Sequence, residues 1–371
     1  MAKISKLHKL DALRGFAALY VIMHHVCQSS TFAYKNFRFH GLRLSSLFGF
    51  GQEAVIIFFL LSGFVIEYSF TRSTDKSFAD YFAKRFFRIY IPLFIIFLCS
   101  YLVKSWEASQ LLSADWLTLA GNCLMLQDLP AARAHVLFSP YMDNSPLWSL
   151  AYEWWFYMIY YGIYRYVPAA KQFRFVFALV ALAVVTYLFY PFFVNRILLY
   201  LGIWWCGVEL ARLYIKGAVS FSKAWHLFVM VAVPGVIIGL YSYWLGYMAG
   251  AELSPGRTPL LELRHFSFTA LSLAIAIGWH RLKWIGFNRI FGPFTIFSSV
   301  SYVLYIAHYF IAVNPVYLQF IGNPLLRSLV ALLLLFGFSY IIELQVYPRV
   351  RKMLQTGSKR NNTAGLQQSF R

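Results

Sequence analysis

The residues of this chain best suited to chemistry are few and far apart: Arg14, His25, Glu153 and His308, each inside an apolar stretch. The first two share residues 10–29, LDALRGFAALYVIMHHVCQS. That segment is long enough to cross a bilayer, which takes about 20 residues. Ionisable groups inside a spanning helix are costly, so they are functional candidates. At about 100° per residue, Arg14 and His25 fall within about 20° of each other, about 16 Å apart along the helix. An arginine fork suits phosphate oxygens, and a neutral imidazole suits proton transfer. One helix face thus offers an anion-binding group at its entry and a general base deeper in. The structural alternative has Asp11 pairing with Arg14 and His25 bonding a nearby carbonyl. His24 lies roughly 80° from Arg14 on the wheel and is the weaker candidate base.

The elements that must position these groups are membrane helices. Hydrophobic residues make up 60% of the 371 and charged residues 13%, well below the roughly 25% usual in soluble domains. Aromatics at 20% fit spans with interfacial belts. The pattern predicts an all-α, polytopic protein with ten spans: 10–29, 52–71, 87–106, 146–166, 173–191, 196–215, 225–246, 262–280, 294–314 and 325–346. The net charge of +19 raises the question of nucleic acid, but the distribution argues against it. Twenty-three of the 33 Lys and Arg fall on one side of these spans and nine on the other, with Arg14 inside a span. The positive-inside rule then puts both termini in the cytoplasm. The N-terminal apolar stretch is interrupted by charge and lacks a small-residue cleavage site, so it reads as an uncleaved first span. Cys27, Cys99, Cys123 and Cys206 form no metal or redox spacing, and no metal is expected. No internal repeat is evident. Residues 1–348 read as one membrane domain and 349–371 as a basic, polar, disordered cytoplasmic tail.

Topology converts position into depth. His25 lies about 22 Å from the start of its outward-running span, in the outer half of a core about 30 Å thick. Glu153 lies roughly 10 Å below the outer surface on an inward-running span, and His308 roughly 21 Å along an outward-running one. The three are therefore expected at similar depth, where imidazoles and a carboxylate can share a proton-transfer site. The alternative is a set of separate interhelical hydrogen bonds. Glu53 opens the second span at the outer edge and is placed to line the approach. The fourth span begins Asn144-Ser145-Pro146, which reads as an N-cap followed by a first-turn proline. Ahead of it, Trp116–Leu126 is apolar but too short to span, and reads as re-entrant or interfacial. Trp148, Trp154 and Trp155 suit sugar stacking or an aromatic belt equally.

On the cytoplasmic side, KRFFRIYIP places Arg85 and Arg88 three positions apart on one helical face. Alone, the cluster is ordinary positive-inside flanking. With Arg14 at the same depth, three arginines surround one mouth and point to an anionic ligand entering from inside.

Together these segments resemble the type 3 membrane acyltransferase family, in a stand-alone form without an esterase-like domain. LDALRGFAALYVIMHH resembles its opening Arg…His signature, here Arg14 and His25. GQEAVIIFFLLSGFVI resembles its second-span pattern. KRFFRIYIP resembles its RxxR motif, here Arg85 and Arg88. SPLWSLAYEWWFYMIYY resembles its Trp-Ser-Leu…Glu pattern, giving Trp148, Ser149 and Glu153. SVSYVLYIAH resembles its late segment, giving Ser301, Tyr302, Tyr305 and His308. The matches run in order from residue 10 to 308. The resemblance implies transfer of an acyl group, commonly acetyl, from cytoplasmic acyl-CoA to a sugar hydroxyl. Acceptors of this class are O-antigen, exopolysaccharide or similar glycans, and the setting is a bacterial inner membrane with its lipids as partners. It also implies His25 as the catalytic residue, with Arg14, Arg85 and Arg88 on the CoA phosphates. Glu153 is then expected to orient an imidazole or position the sugar, and Asp11 to pair with Arg14.

A proton-coupled transporter is the competing class, since intramembrane His and Glu also suit proton relays. Against it stand the missing repeats, the lack of a broken-helix pair in the sequence pattern, and the arginines gathered at one face.

Overall fold

The computed structural model describes residues 7–29, 38–39, 42–313 and 315–354. The fold is all-α. In chain order the helices are α1 (His8–Gln28), α2 (Gly51–Thr71), α3 (Phe78–Glu107), the short α4 (Trp116–Cys123) and α5 (Leu147–Tyr166). They continue with α6 (Ala169–Phe189), α7 (Phe193–Ile215), α8 (Phe221–Tyr243), α9 (Leu260–Arg281), α10 (Ser301–His308) and α11 (Pro324–Tyr340). In the loop after α1, a two-residue antiparallel ladder pairs Arg38 with Arg43 and Phe39 with Leu42.

Among the described residues, seven helices are long and apolar enough to cross a membrane, or eight if a bent pair counts as one span. This makes the protein a multi-pass membrane protein. The sequence pattern predicts ten spans, and the difference falls on α1 and α5. Both have spanning length, but α1 carries Asp11, Arg14, His24 and His25, and α5 is crowded with Trp and Tyr. The start of α1 packs with the ends of α2 and α7, where Leu7 and Leu10 meet Phe64, Tyr68 and Ala211. Those three termini therefore share one end of the bundle, which is also its basic end.

Several boundaries differ from the expected ones. α3 begins at Phe78, capped by Ser77, whose hydroxyl accepts from the Asp80 amide. Arg85 consequently lies within the helix, as Arg88 does, rather than ahead of it. The expected Asn144 cap does not form: the N-cap of α5 is Pro146. Asn144 instead donates its side-chain amide to the Ile306 carbonyl on α10 at 2.8 Å, tying the two helices together. α4 covers the short apolar piece and is capped by Asp115, with Trp116 and Leu117 exposed. The last helix continues past Pro348 to Leu354; residues 355–371, the rest of the expected tail, lie outside those described.

The ninth expected span is not continuous. Gly292–Ser298 and Ser301–Val313 are separate helical pieces bent by 75°. The first piece lies hard against α1, where a Cβ added at Gly15 would sit 2.0 Å from the Phe294 carbonyl oxygen. α2 and α7 cross as closely: a Cβ at Gly207 would sit 2.1 Å from the Leu60 carbonyl oxygen. Small residues at such crossings let backbones touch, which is how membrane helices pack without a hydrophobic driving force between them.

Candidate functional site

The bend in the ninth segment aims α10 at α1, and two histidines meet there. His308 Nε2 lies 3.1 Å from His25 Nδ1, with ring centroids 5.0 Å apart. Backbone carbonyls set the tautomers, because a carbonyl oxygen only accepts. His308 Nδ1 is 2.7 Å from the Tyr305 carbonyl and so carries a proton. With the ring neutral, its Nε2 is a bare acceptor facing His25. His25 Nδ1 is 3.1 Å from the Val21 carbonyl and also carries its proton, which both acceptors share. That leaves His25 Nε2 with an open lone pair, the arrangement of a general base oriented by a second group. His308 is fully buried and His25 half-buried. His24 points elsewhere, with Nδ1 2.5 Å from the Phe48 carbonyl and its ring packed against Gly51.

Glu153 does not join this pair. Its carboxylate accepts from Ser62 Oγ at 2.7 Å and from the Tyr157 hydroxyl. Among the described residues no hydrogen bond links it to either histidine. It lines a cavity of about 420 Å³ enclosed by α2, α3, α5 and α10, with Arg14 contributed by α1. Arg14, Lys84, Arg85 and Arg88 gather on this cavity, and Ser149 and Tyr305 also line it. Ser149 Oγ and the Tyr305 hydroxyl are 2.7 Å apart. The Tyr305 ring lies 5.5 Å from Phe58 and 6.0 Å from His308, so it forms the wall between the cavity and the histidine pair. Of the three groups expected at one depth, the structure brings two into contact and places the third in the adjoining cavity.

The arginines are held in different ways. Arg14 pairs with Asp11 at 3.2 Å, as the spacing suggested. Arg85 stacks its guanidinium 3.8 Å over the Tyr81 ring and donates to the Tyr81 carbonyl. Arg88 pairs with Glu343 of the last helix, a partner the motif reading missed. A lone carboxylate in the apolar run IIELQV was the available signal. Tyr302 lines the same wall, with its hydroxyl donating to the Ile89 carbonyl, while Ser301 Oγ donates to the Ser298 carbonyl beside the bend. Glu53, expected to line the outer approach, is buried and paired with Arg264. Trp148 is buried under the Arg133 guanidinium, 4.1 Å from its ring centroid, so it is not an exposed sugar platform.

Sequence reasoning also missed a buried ionic cluster at the opposite end. Asp128, Arg133 and Arg196 have fully buried side chains. Asp128 accepts from Arg133 Nη1 at 3.1 Å, Arg196 Nε at 2.9 Å and the Tyr152 hydroxyl at 2.8 Å. Burial works against the Arg133 charge, and the Asp128 carboxylate together with Tyr152, Tyr200 and Glu262 more than offsets it, so its pKa stands well above the usual arginine value. The cluster fastens the loop before α5 to α5 and α7. Among the described residues no group of three His, Cys, Asp or Glu is placed to hold a metal ion.

A family model described as an acyltransferase domain matches residues 7–344, nearly the whole chain. The acyltransferase MdmB of Streptomyces mycarofaciens is 32% identical over 175 residues, which is 46% of this chain and 43% of that protein. The chain thus spans less than half the length of that relative. No solved structure matches. With the histidine pair, the arginine-lined cavity and a family match over almost its full length, the chain belongs to the acyltransferase 3 family.

Proposed function

We propose that the protein is an O-acyltransferase that moves an acyl group, acetyl as is usual in the family, from acyl-CoA to a sugar hydroxyl of a cell-surface or exported glycan. In this reading it sits in a bacterial inner membrane, with its basic end and both termini in the cytoplasm. One observation carries the proposal: a cavity with Arg14, Lys84, Arg85 and Arg88 on its wall that ends at Tyr305, one ring away from a tautomerically ordered histidine pair. Charge-assisted bonds from arginine and lysine suit the phosphates of CoA, and the cavity receives the pantetheine arm. Rotation of the Tyr305 ring opens the wall so that the thioester reaches His25. His25 Nε2 takes the proton of the acceptor hydroxyl while its oxygen attacks the thioester carbonyl carbon. The carbon–sulfur bond breaks, and the CoA thiolate leaves with the proton returned from His25. The imidazolium formed midway is held by its Nδ1–H on His308 Nε2. Glu153 lines the donor side, where it positions the arm with Ser62 and Tyr157. An acyl-histidine intermediate is the alternative chemistry.

The test is purified protein with radiolabelled acetyl-CoA and cell-envelope glycan, following CoA release and label transfer. Arg85→Gln is expected to raise KM for acyl-CoA by about tenfold or more, because a lost charge-assisted bond costs about 1.5–3 kcal/mol, with kcat little changed. Wild-type protein that neither binds acyl-CoA nor releases CoA would overturn the reading. A second reading, a proton-coupled transporter, is favoured by the 75° break beside buried His308, since broken helices mark transport sites. Proton flux in proteoliposomes without any CoA would select it.

A further inference from the structure

Next to the arginine-lined cavity lies a larger one, of about 520 Å³, sharing only Leu61 with it. Its volume is within the roughly 300–1,000 Å³ of small-ligand sites. The walls are apolar and come from α1, α2 and α9, through residues such as Leu13, Phe16, Leu60, Phe64, Phe268 and Leu273. Apart from Ser272, its hydrophilic side chains gather at the basic end, where His8, Lys9 and His280 line it. His280 is held between Tyr214 and Trp284, with ring centroids 6.4 Å and 6.3 Å away. Its Nδ1 is buried and has no hydrogen-bond partner among the described residues. An orphaned buried polar atom is destabilising unless something completes it. Lys9 lies over the Trp284 ring at 5.6 Å, beside the same rim. The cavity also reaches the outside of the bundle: Ile275 lines it yet is 51% exposed, and Leu282 and Ile285 beyond it are more exposed still. In a membrane protein that side faces acyl chains.

We infer that this cavity holds one acyl chain of an anionic phospholipid, with its phosphate on Lys9 and His280 and its second chain in the bilayer past Ile275. Apolar walls take the chain, the cationic rim selects an anionic head group, and the lateral opening admits a lipid that is already in the membrane. The site is separate from the donor cavity and does not depend on the acyltransferase reading.

Phosphatidylglycerol carrying a photoreactive diazirine at its chain end tests the assignment on the purified protein in detergent. Label is expected in peptides containing Phe16 or Phe268, with several-fold less from the matching phosphatidylcholine. Ala276→Trp, which fills the cavity, is expected to abolish labelling. Lys9→Glu combined with His280→Gln leaves the walls intact and is expected to reduce phosphatidylglycerol labelling to the phosphatidylcholine level. Saturating phosphatidylglycerol is expected to raise Tm of the wild type by about 3–6 °C and not that of the rim variant. Equal labelling by the two lipids, labelling that survives both variants, or full competition by palmitate would each overturn the assignment.

Discussion

His25→Ala is expected to lower the rate of acyl transfer by about 10²–10⁴-fold, the usual contribution of a general base, with acyl-CoA binding unchanged. The cavity proposed to take the donor is lined by Arg14, Lys84, Arg85 and Arg88, and His25 is not among its lining residues. KM for acyl-CoA is therefore expected to stay near wild type while kcat collapses. The measurement is steady-state CoA release alongside equilibrium binding of labelled acyl-CoA. A fall in both together would mean that His25 shapes the donor site rather than the chemistry. Labelled acyl trapped on wild-type protein and absent from His25→Ala would replace direct transfer with the acyl-histidine route.

The partner of that histidine gives a sharper test. In the proposed mechanism His308 acts through His25, by accepting its Nδ1–H, and so serves as a positioning residue. His308→Leu removes the acceptor and is expected to reduce kcat by about 10-fold or more, whereas His308→Gln restores a carbonyl acceptor and part of the rate. Equal rates for the two variants would make His308 a packing residue only.

Asp128→Ala is expected to destabilise the protein by about 3–5 kcal/mol, the cost of leaving a buried charge without its partner. The reason is the stoichiometry of the cluster. Two fully buried arginines, Arg133 and Arg196, converge on one carboxylate, and its loss leaves both guanidinium groups in a space closed to water. Asp128→Asn keeps the shape and loses the charge, and is expected to fall between Ala and wild type. Thermal unfolding in detergent reads the effect, and a Tm within one or two degrees of wild type for Asp128→Ala would refute the account. Because Arg133 packs on Trp148 at the head of α5, the same variant is expected to loosen Ser149 and Glu153 on that helix. A moderate loss of activity should therefore accompany the loss of stability.

The chain's sequence by itself determined much of this protein. Apolar runs long enough to span define its helices, because hydropathy acts locally and every backbone group in lipid must be satisfied within its own helix. The resemblance to the family rests on short ordered motifs, and these too are local. The pairing of Asp11 with Arg14 follows from three residues of helical spacing. Azimuth was not legible. Which of Glu153, His25 and His308 touch depends on helix rotation and on a bend that no residue type announces. His25 meets His308 across 283 positions of sequence, while Glu153 turns to Ser62 and Tyr157. Only tertiary packing paired Arg88 with Glu343 and brought Arg133 and Arg196 together on Asp128. Charge pairs in a low-dielectric interior are chosen by proximity of whole helices, and proximity of that kind is not written in the spacing of any one segment.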